Sequence, residues 1–156
     1  MPSALQHELR QRRPFQSAAH EAVVGLLRTA DLIRRQAAAL VEPHGITIQQ
    51  FNVLRILRGA ADEGLPTLEV AERMIEQTPG VTRLLDRLEV KELVRRQRSP
   101  RDRRQHLCRI TGTGLALLEK IDAVAPRANE ESLKGLKQKD RVALIRLMDA
   151  IRAAHQ

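Results

Sequence analysis

Apolar side chains recur every three or four residues between Phe15 and Val41, at Ala19, Ala22, Val23, Leu26, Ala30, Ile33, Ala37 and Leu40. That spacing predicts one long amphipathic helix, which Pro43 and Gly45 should end. Thr47, Gln50 and the flanking pair Ile46 and Phe51 form a complete helix-start signal: N-cap, capping box and hydrophobic staple. Leu54 and Leu57 carry that helix to Gly59. After the loop Asp62-Glu63-Gly64, Leu65-Pro66 leads to Thr67, the expected N-cap of a short helix over Leu68–Met74. Ile75-Glu76-Gln77 connects it to a second start signal, with Thr78 as N-cap and Pro79 at the first helical position.

The helix that follows buries Val81, Leu84, Leu85 and Leu88 and turns Gly80, Arg83 and Arg87 outward, with Thr82 at the margin. Two short helices joined tightly, the second with a basic outer face, predict a helix-turn-helix. Leu93–Gln97 and Gln105–Ile110 read as two strands flanking Arg98–Arg104, a hairpin with an arginine-rich tip. A hairpin in that place makes a winged helix. Thr111 should cap a further helix bearing Leu115, Leu118, Ile121 and Val124, interrupted at Pro126. A break at Leu133–Leu136 precedes a last helix marked by Val142, Ile145, Leu147, Met148 and Ile151. Residues 1–14, with Pro2 and Pro14 among Gln and Arg, read as a mobile arm. The predicted class is mainly α with a small β-wing.

Composition narrows the chemistry. The chain has 156 residues, 42% hydrophobic and 29% charged, a balance suited to a folded domain. No apolar run approaches the roughly 20 residues of a membrane span. Charged residues interrupt positions 8–13 with no apolar stretch behind them, so no signal peptide is predicted and the cytoplasm is expected. Cys108 is the single cysteine, which excludes a disulfide framework. The histidines at 7, 20, 44, 106 and 155 show no metal-ligand spacing, and no cofactor motif or catalytic signature is present, so neither a metal site nor an enzyme is expected.

Charge points elsewhere. The net charge is +8, and 22 of the 27 basic residues are arginine. Seven of these (95, 96, 98, 101, 103, 104 and 109) fall within fifteen residues against the single acid Asp102. Arginine suits bidentate phosphate and guanine contacts, so the run suggests a phosphate footprint. Trp and Tyr are absent and Phe occurs only at 15 and 51, which disfavours generic single-strand binding by base stacking. A basic protein that binds nucleic acid without sequence preference stays open as the alternative.

Several motifs resemble those of MarR-family transcriptional regulators. They are Thr47-Ile48-Gln49-Gln50-Phe51-Asn52-Val53-Leu54, Val70-Ala71-Glu72-Arg73-Met74, Val81 to Glu89 (VTRLLDRLE), Leu93-Val94, Asp102-Arg103-Arg104, and Ile110-Thr111 with Gly114. The resemblance covers roughly 46–120. It implies a homodimer on double-stranded DNA: an N-terminal dimerisation helix over 15–45, a winged helix-turn-helix over 46–110, and C-terminal dimerisation helices over 111–156. It also implies a pseudo-palindromic operator, repression as the commoner outcome, and for some members release by a small aromatic or phenolic ligand. In this reading Thr78 and Thr82 meet phosphates or base edges, Gly80 permits close backbone approach, Arg83 reads a base and Arg87 a phosphate. In the wing, Arg104 enters the minor groove with Asp102 holding its guanidinium, while Arg98, Arg101 and Arg103 lie along the backbone. His20, Arg28, His44 and Phe51 are the candidates for a ligand pocket. Glu92 stands where the family commonly has Gly; a non-Gly residue in left-handed geometry would cost about 1 kcal/mol, so a differently shaped helix end is expected here.

Overall fold

The computed structural model describes residues 3–155. Met1, Pro2 and Gln156, the outer ends of the predicted arm and of the C-terminal region, lie outside them. The long helix α2 spans Ala18–Val41. It starts three residues later than the apolar pattern suggests, because the Ser17 hydroxyl accepts the His20 amide and fixes the N-cap there. Phe15 stands outside the helix with its ring edge-on to His20, centroids 5.4 Å apart. A 3-10 turn at Glu42–His44 closes α2, and Gly45 follows at φ 74°. The segment read as a mobile arm contains a short helix, α1 (Ala4–Glu8), capped by Ser3. Glu8 pairs with Arg28 of α2 at 2.9 Å, and Leu5 lies 3.5 Å from where a Cβ on Gly25 would stand, so the arm rests on α2.

The middle of the chain is the winged helix. Helix α3 (Ile48–Gly59) begins with both halves of the Thr47–Gln50 capping box in place. Its Val53, Leu54 and Leu57 are fully buried, with Ile46 beside them. Helix α4 is Thr67–Glu72, so Thr67 is its first residue and not its N-cap; Pro66 takes that place. The Thr67 hydroxyl turns instead toward the Cys108 thiol, 3.8 Å away. Helix α5 is Val81–Val90, and its start also differs from the sequence pattern. Gly80 occupies the N-cap at φ 89°, which breaks the helical path, so Thr78 and Pro79 belong to the preceding turn. Pro followed by a left-handed Gly is the residue order of a type II turn.

Strands β1 (Leu65–Pro66), β2 (Val94–Arg98) and β3 (His106–Ile110) form an antiparallel sheet in the order β1-β3-β2. The wing hairpin pairs Val94 with Ile110 through to Arg98 with His106. The two-residue β1, expected only as a lead-in to the next helix, pairs Leu65 with Cys108 and anchors the hairpin to the body. Helix α6 (Gly112–Asp122) buries Leu118 and Ile121 against α3. It stops before Pro126, which sits in the first turn of α7 (Ala125–Ser132). The last helix, α8, is Gln138–Ala153.

The exit of α5 controls how these parts join. Leu93 N–H donates to Leu88 C=O and Glu92 N–H to Glu89 C=O, both at 2.9 Å, the bond pair of a Schellman motif. Glu92 is the left-handed residue, at φ 57°, so the helix end keeps the shape a glycine would give it and the expectation of a different one is corrected. The Thr111 hydroxyl donates to the Glu92 carbonyl at 2.7 Å and accepts the Gly114 amide at 3.1 Å, and the Thr111 amide donates to the Leu93 carbonyl at 3.0 Å. One threonine thus ties the end of α5 to the start of α6. A Cβ on Gly114 would lie 2.5 Å from the Leu93 carbonyl oxygen and 2.7 Å from Ile110 Cγ1.

Two outcomes follow for stability. Gly114→Ala should cost about 1–3 kcal/mol in urea unfolding because backbone must shift, while Gly112→Ala, with nothing within 4 Å, should be neutral or gain up to about 1 kcal/mol. Glu92→Gly should raise the unfolding midpoint, by up to about 1 kcal/mol of relieved left-handed strain; a lowered midpoint would mean that the carboxylate side chain contributes more than the strain costs.

Candidate nucleic-acid interface

Helix α5 carries two acids and two arginines outside its buried stripe, and the fold sorts them. Asp86 and Glu89 both turn to Arg96 on β2. Arg96 Nε and Nη2 donate to Glu89 Oε2 at 3.0 and 2.8 Å, the Arg96 amide donates to Glu89 Oε1 at 3.1 Å, and Asp86 takes a further bond from Nη2. Arg83 and Arg87 are therefore left exposed and without an ion-pair partner among the described residues. Thr82 is exposed beside them. Thr78 is turned back, its hydroxyl donating to the Glu76 carbonyl at 3.2 Å, so the expected cap is not made. No side chain caps α5, and its positive end stays available to an anion. Gly80 owes its identity to its left-handed φ; a Cβ there would meet nothing within 4 Å.

The wing tip is built around Ser99, which is only 6% exposed. Its hydroxyl accepts the amides of Arg101 and Asp102, each at 3.3 Å, and its own amide donates to the Gln105 carbonyl at 2.8 Å. Asp102 Oδ1 accepts the backbone amide of Arg104 at 2.9 Å. The expectation that Asp102 holds the Arg104 guanidinium is thereby corrected: the short aspartate side chain closes on an amide two residues on, the local bond its length favours. With the acid engaged by backbone, Arg98, Arg101, Arg103 and Arg104 are exposed and have no ion-pair partner among the described residues. The arginine run does not act as one patch. Arg96 faces inward, and Arg109 lies away from the tip, its guanidinium donating to the Glu63 carbonyl at 3.4 Å over Gly64. Cys108 is fully buried and burial pushes its thiol pKa up, the state of an inert thiol.

A groove of about 480 Å³ runs between α2, α3 and α7, with Ile33, Leu40, Phe51, Asn52 and Pro126 on its walls and the Arg55 guanidinium 5.8 Å over the Phe51 ring. Of the four predicted ligand residues only Phe51 lines it. His20 is committed to Phe15, Arg28 to Glu8, and His44 to the 3-10 turn, so these three do not converge with Phe51. Among the described residues no group of three His, Cys, Asp or Glu side chains could hold a metal ion, and no helix is long and apolar enough to cross a membrane.

Known proteins share this arrangement. Residues 46–106 match the MarR family pattern. A MarR transcription factor from Planctomyces limnophilus is similar at 35% identity, with a TM-score of 0.67 over 87% of this chain and 98% of that one. The chain belongs to the MarR family. A cysteine-to-serine mutant of the E. coli MarR protein, solved in complex with operator DNA, is 25% identical, with a TM-score of 0.76 over 96% of this chain and 99% of that one. The transcriptional regulator MhqR of Bacillus subtilis is 33% identical over 81 residues, which are 52% of this chain; the match spans only 54% of that regulator. MarR-family proteins are DNA-binding transcriptional regulators, and this chain has their mainly helical fold with the small antiparallel wing.

Two residues that organise the wing escaped the sequence pattern. Ser99 could have been found, because Ser-Pro-Arg-Asp is a local turn signal. Arg96 could not, because nothing in a run of arginines marks the inward one. The Glu89 carboxyl is held below its usual range, first by the hydrogen bonds of the Arg96 side chain and then by the Arg96 amide. A lowered carboxyl stabilises the fold above its unfolded value, and that contribution disappears as the pH falls through the folded value. Between neutral pH and about pH 3, the wild-type protein should lose more stability than Glu89→Gln does; equal losses in urea unfolding at the two pH values would contradict the pairing.

Proposed function

We propose that this protein is a sequence-specific regulator that binds double-stranded DNA as a homodimer and represses from a pseudo-palindromic operator. The observation that carries the reading is the pairing of two unpartnered arginine sets on one domain: Arg83 and Arg87 on α5, and Arg98, Arg101, Arg103 and Arg104 at the wing. The first set suits the major groove, with Arg83 reading a guanine through N7 and O6 and Arg87 on a phosphate. Thr82 and the open N-terminus of α5 suit flanking phosphates. The wing suits the adjacent minor groove, which is most negative over A·T-rich sequence.

Dimerisation is supported by apolar side chains left uncovered outside the winged helix. Val23, Leu26 and Leu27 of α2 and Val142, Ile145, Leu147 and Ile151 of α8 are between 42% and 68% exposed, too much apolar surface to leave in water. A second copy would cover them and would set two recognition helices about one DNA turn, roughly 10 bp, apart. The groove beside Phe51 supports release by a small aromatic or phenolic ligand, since it is mostly apolar with a few polar groups on its walls. A DNA partner supports the expected cytoplasmic location.

Selection of bound duplexes from a random library tests the reading. A palindrome with half-sites about one turn apart is expected. Arg83→Ala should relax one symmetric base position at a cost of about 1–3 kcal/mol, and Arg104→Ala should weaken preference at the flanking positions. No selected motif, with both variants losing affinity uniformly, would overturn it in favour of electrostatic binding without sequence preference.

A further inference from the structure

The two DNA-facing sets stand on different elements, and a duplex can engage both only if the angle between α5 and the wing is held. The elements are joined in sequence by the left-handed turn at Glu92, and in space by the shared core of Leu85, Leu88, Val94 and Cys108 and by one ion-paired side chain above it. Arg96 leaves β2 on the face opposite Arg95, in register with buried Cys108, and reaches back across α5. Its side chain is 24% exposed, less than either carboxylate that holds it, and no other ion pair joins α5 to the wing among the described residues.

The geometry is that of a clamp. The Glu89 carboxylate spans the main chain and the side chain of the same wing residue, one oxygen on the Arg96 amide and the other on its Nε and Nη2. Asp86, one turn earlier on α5, takes a further bond from Nη2. A planar guanidinium held by two carboxylates at two heights along a helix resists both sliding and rotation of the strand, which a lysine point charge would not. The same strand ends at Arg98 and delivers the Ser99-based tip. Asp86 and Glu89 lie on the helix that also presents Arg83 and Arg87.

We propose that Arg96, gripped by Asp86 and Glu89, is a positioning residue that fixes the wing relative to the recognition helix so that both sets of arginines engage one duplex together. The inference rests on the DNA-binding reading above. Two contacts held on one rigid body act at high effective concentration; once the wing swings freely, its contacts add little to those of the helix. Arg96 itself need not touch DNA for this.

A double-mutant cycle decides it. The wing-neutralised variant Arg101→Ala/Arg103→Ala/Arg104→Ala is measured against wild type, Arg96→Gln and the two combined, by equilibrium binding to the duplex selected above. Thermal unfolding establishes that each variant is folded at the assay temperature. Neutralising the wing should cost at least about tenfold in affinity in the wild-type protein and less than about threefold in Arg96→Gln, a coupling of the size seen for residues acting through one another. Glu89→Gln, which leaves every arginine in place, should reproduce the same collapse and serves if Arg96→Gln does not fold. Equal cost of wing neutralisation with and without Arg96 would overturn the positioning role while leaving DNA binding intact. Were Arg96 instead a phosphate contact, its removal would lower the salt slope by about one and leave the wing's contribution unchanged. A wing whose neutralisation costs nothing in the wild-type protein would overturn the functional reading itself, together with the clamp.

Discussion

Everything beyond the recognition helix depends on the left-handed turn at Glu92. It reverses the chain at once, so that Leu93 and Val94 enter the core beside Leu88 and β2 starts alongside α5. The Thr111 hydroxyl and amide then fasten that turn to α6, and Gly114 is glycine because backbone and Ile110 fill the space a Cβ would need. A helix closed by an ordinary right-handed residue would carry Leu93 to another side, and the wing would have no register with the body. The fold accepts the strain of a non-glycine residue there because the surrounding hydrogen bonds and burial over-determine the turn.

Charge is handled by segregation. The winged helix is rich in arginine, yet Arg58 is paired with Asp122, Arg73 with Glu69 and Arg96 with Asp86 and Glu89. The acids therefore neutralise the arginines that point along the body, and those of α5 and the wing tip face solvent free. Asp102 and Ser99 help by committing their oxygens to backbone amides, which orders the tip without cancelling its positive side chains. A clamp made from acids on the recognition helix serves two ends: it braces the wing and removes from the DNA-facing side the carboxylates that would repel phosphate.

The helices around the winged helix obey a different constraint. Helix α2 touches α3 and α7 along part of its length, while α8 packs little on the rest of the described chain. Arg34 of α2 pairs with Glu76 at 2.6 Å, in the connection just before α5, and Lys91 at the end of α5 reaches the Gly45 carbonyl. The long helix is thus tied to the connection before α5, and the turn that closes it to the residue after α5.

The order of elements, the long helix, the Thr47 and Thr111 caps and the hairpin were legible in the sequence, since each rests on side chains within a few residues of one another, whereas the left-handed turn at Glu92 was not, because a non-glycine residue there argued for another shape. The outward face of α5 was legible for the same reason: helical spacing alone separates Arg83 and Arg87 from Leu84, Leu85 and Leu88. The start of α5 was misplaced because Thr78-Pro79 and Gly80-Val81 are both plausible beginnings, and the backbone at Gly80 chose between them. The inward turn of Arg96, the backbone partner of Asp102, the short strand at Leu65 and the separation of His20, Arg28 and His44 from Phe51 were decided only in three dimensions. A linear run of arginines specifies how much charge a segment carries; which of them meets a carboxylate depends on elements brought together from elsewhere in the chain, and that is a property of packing.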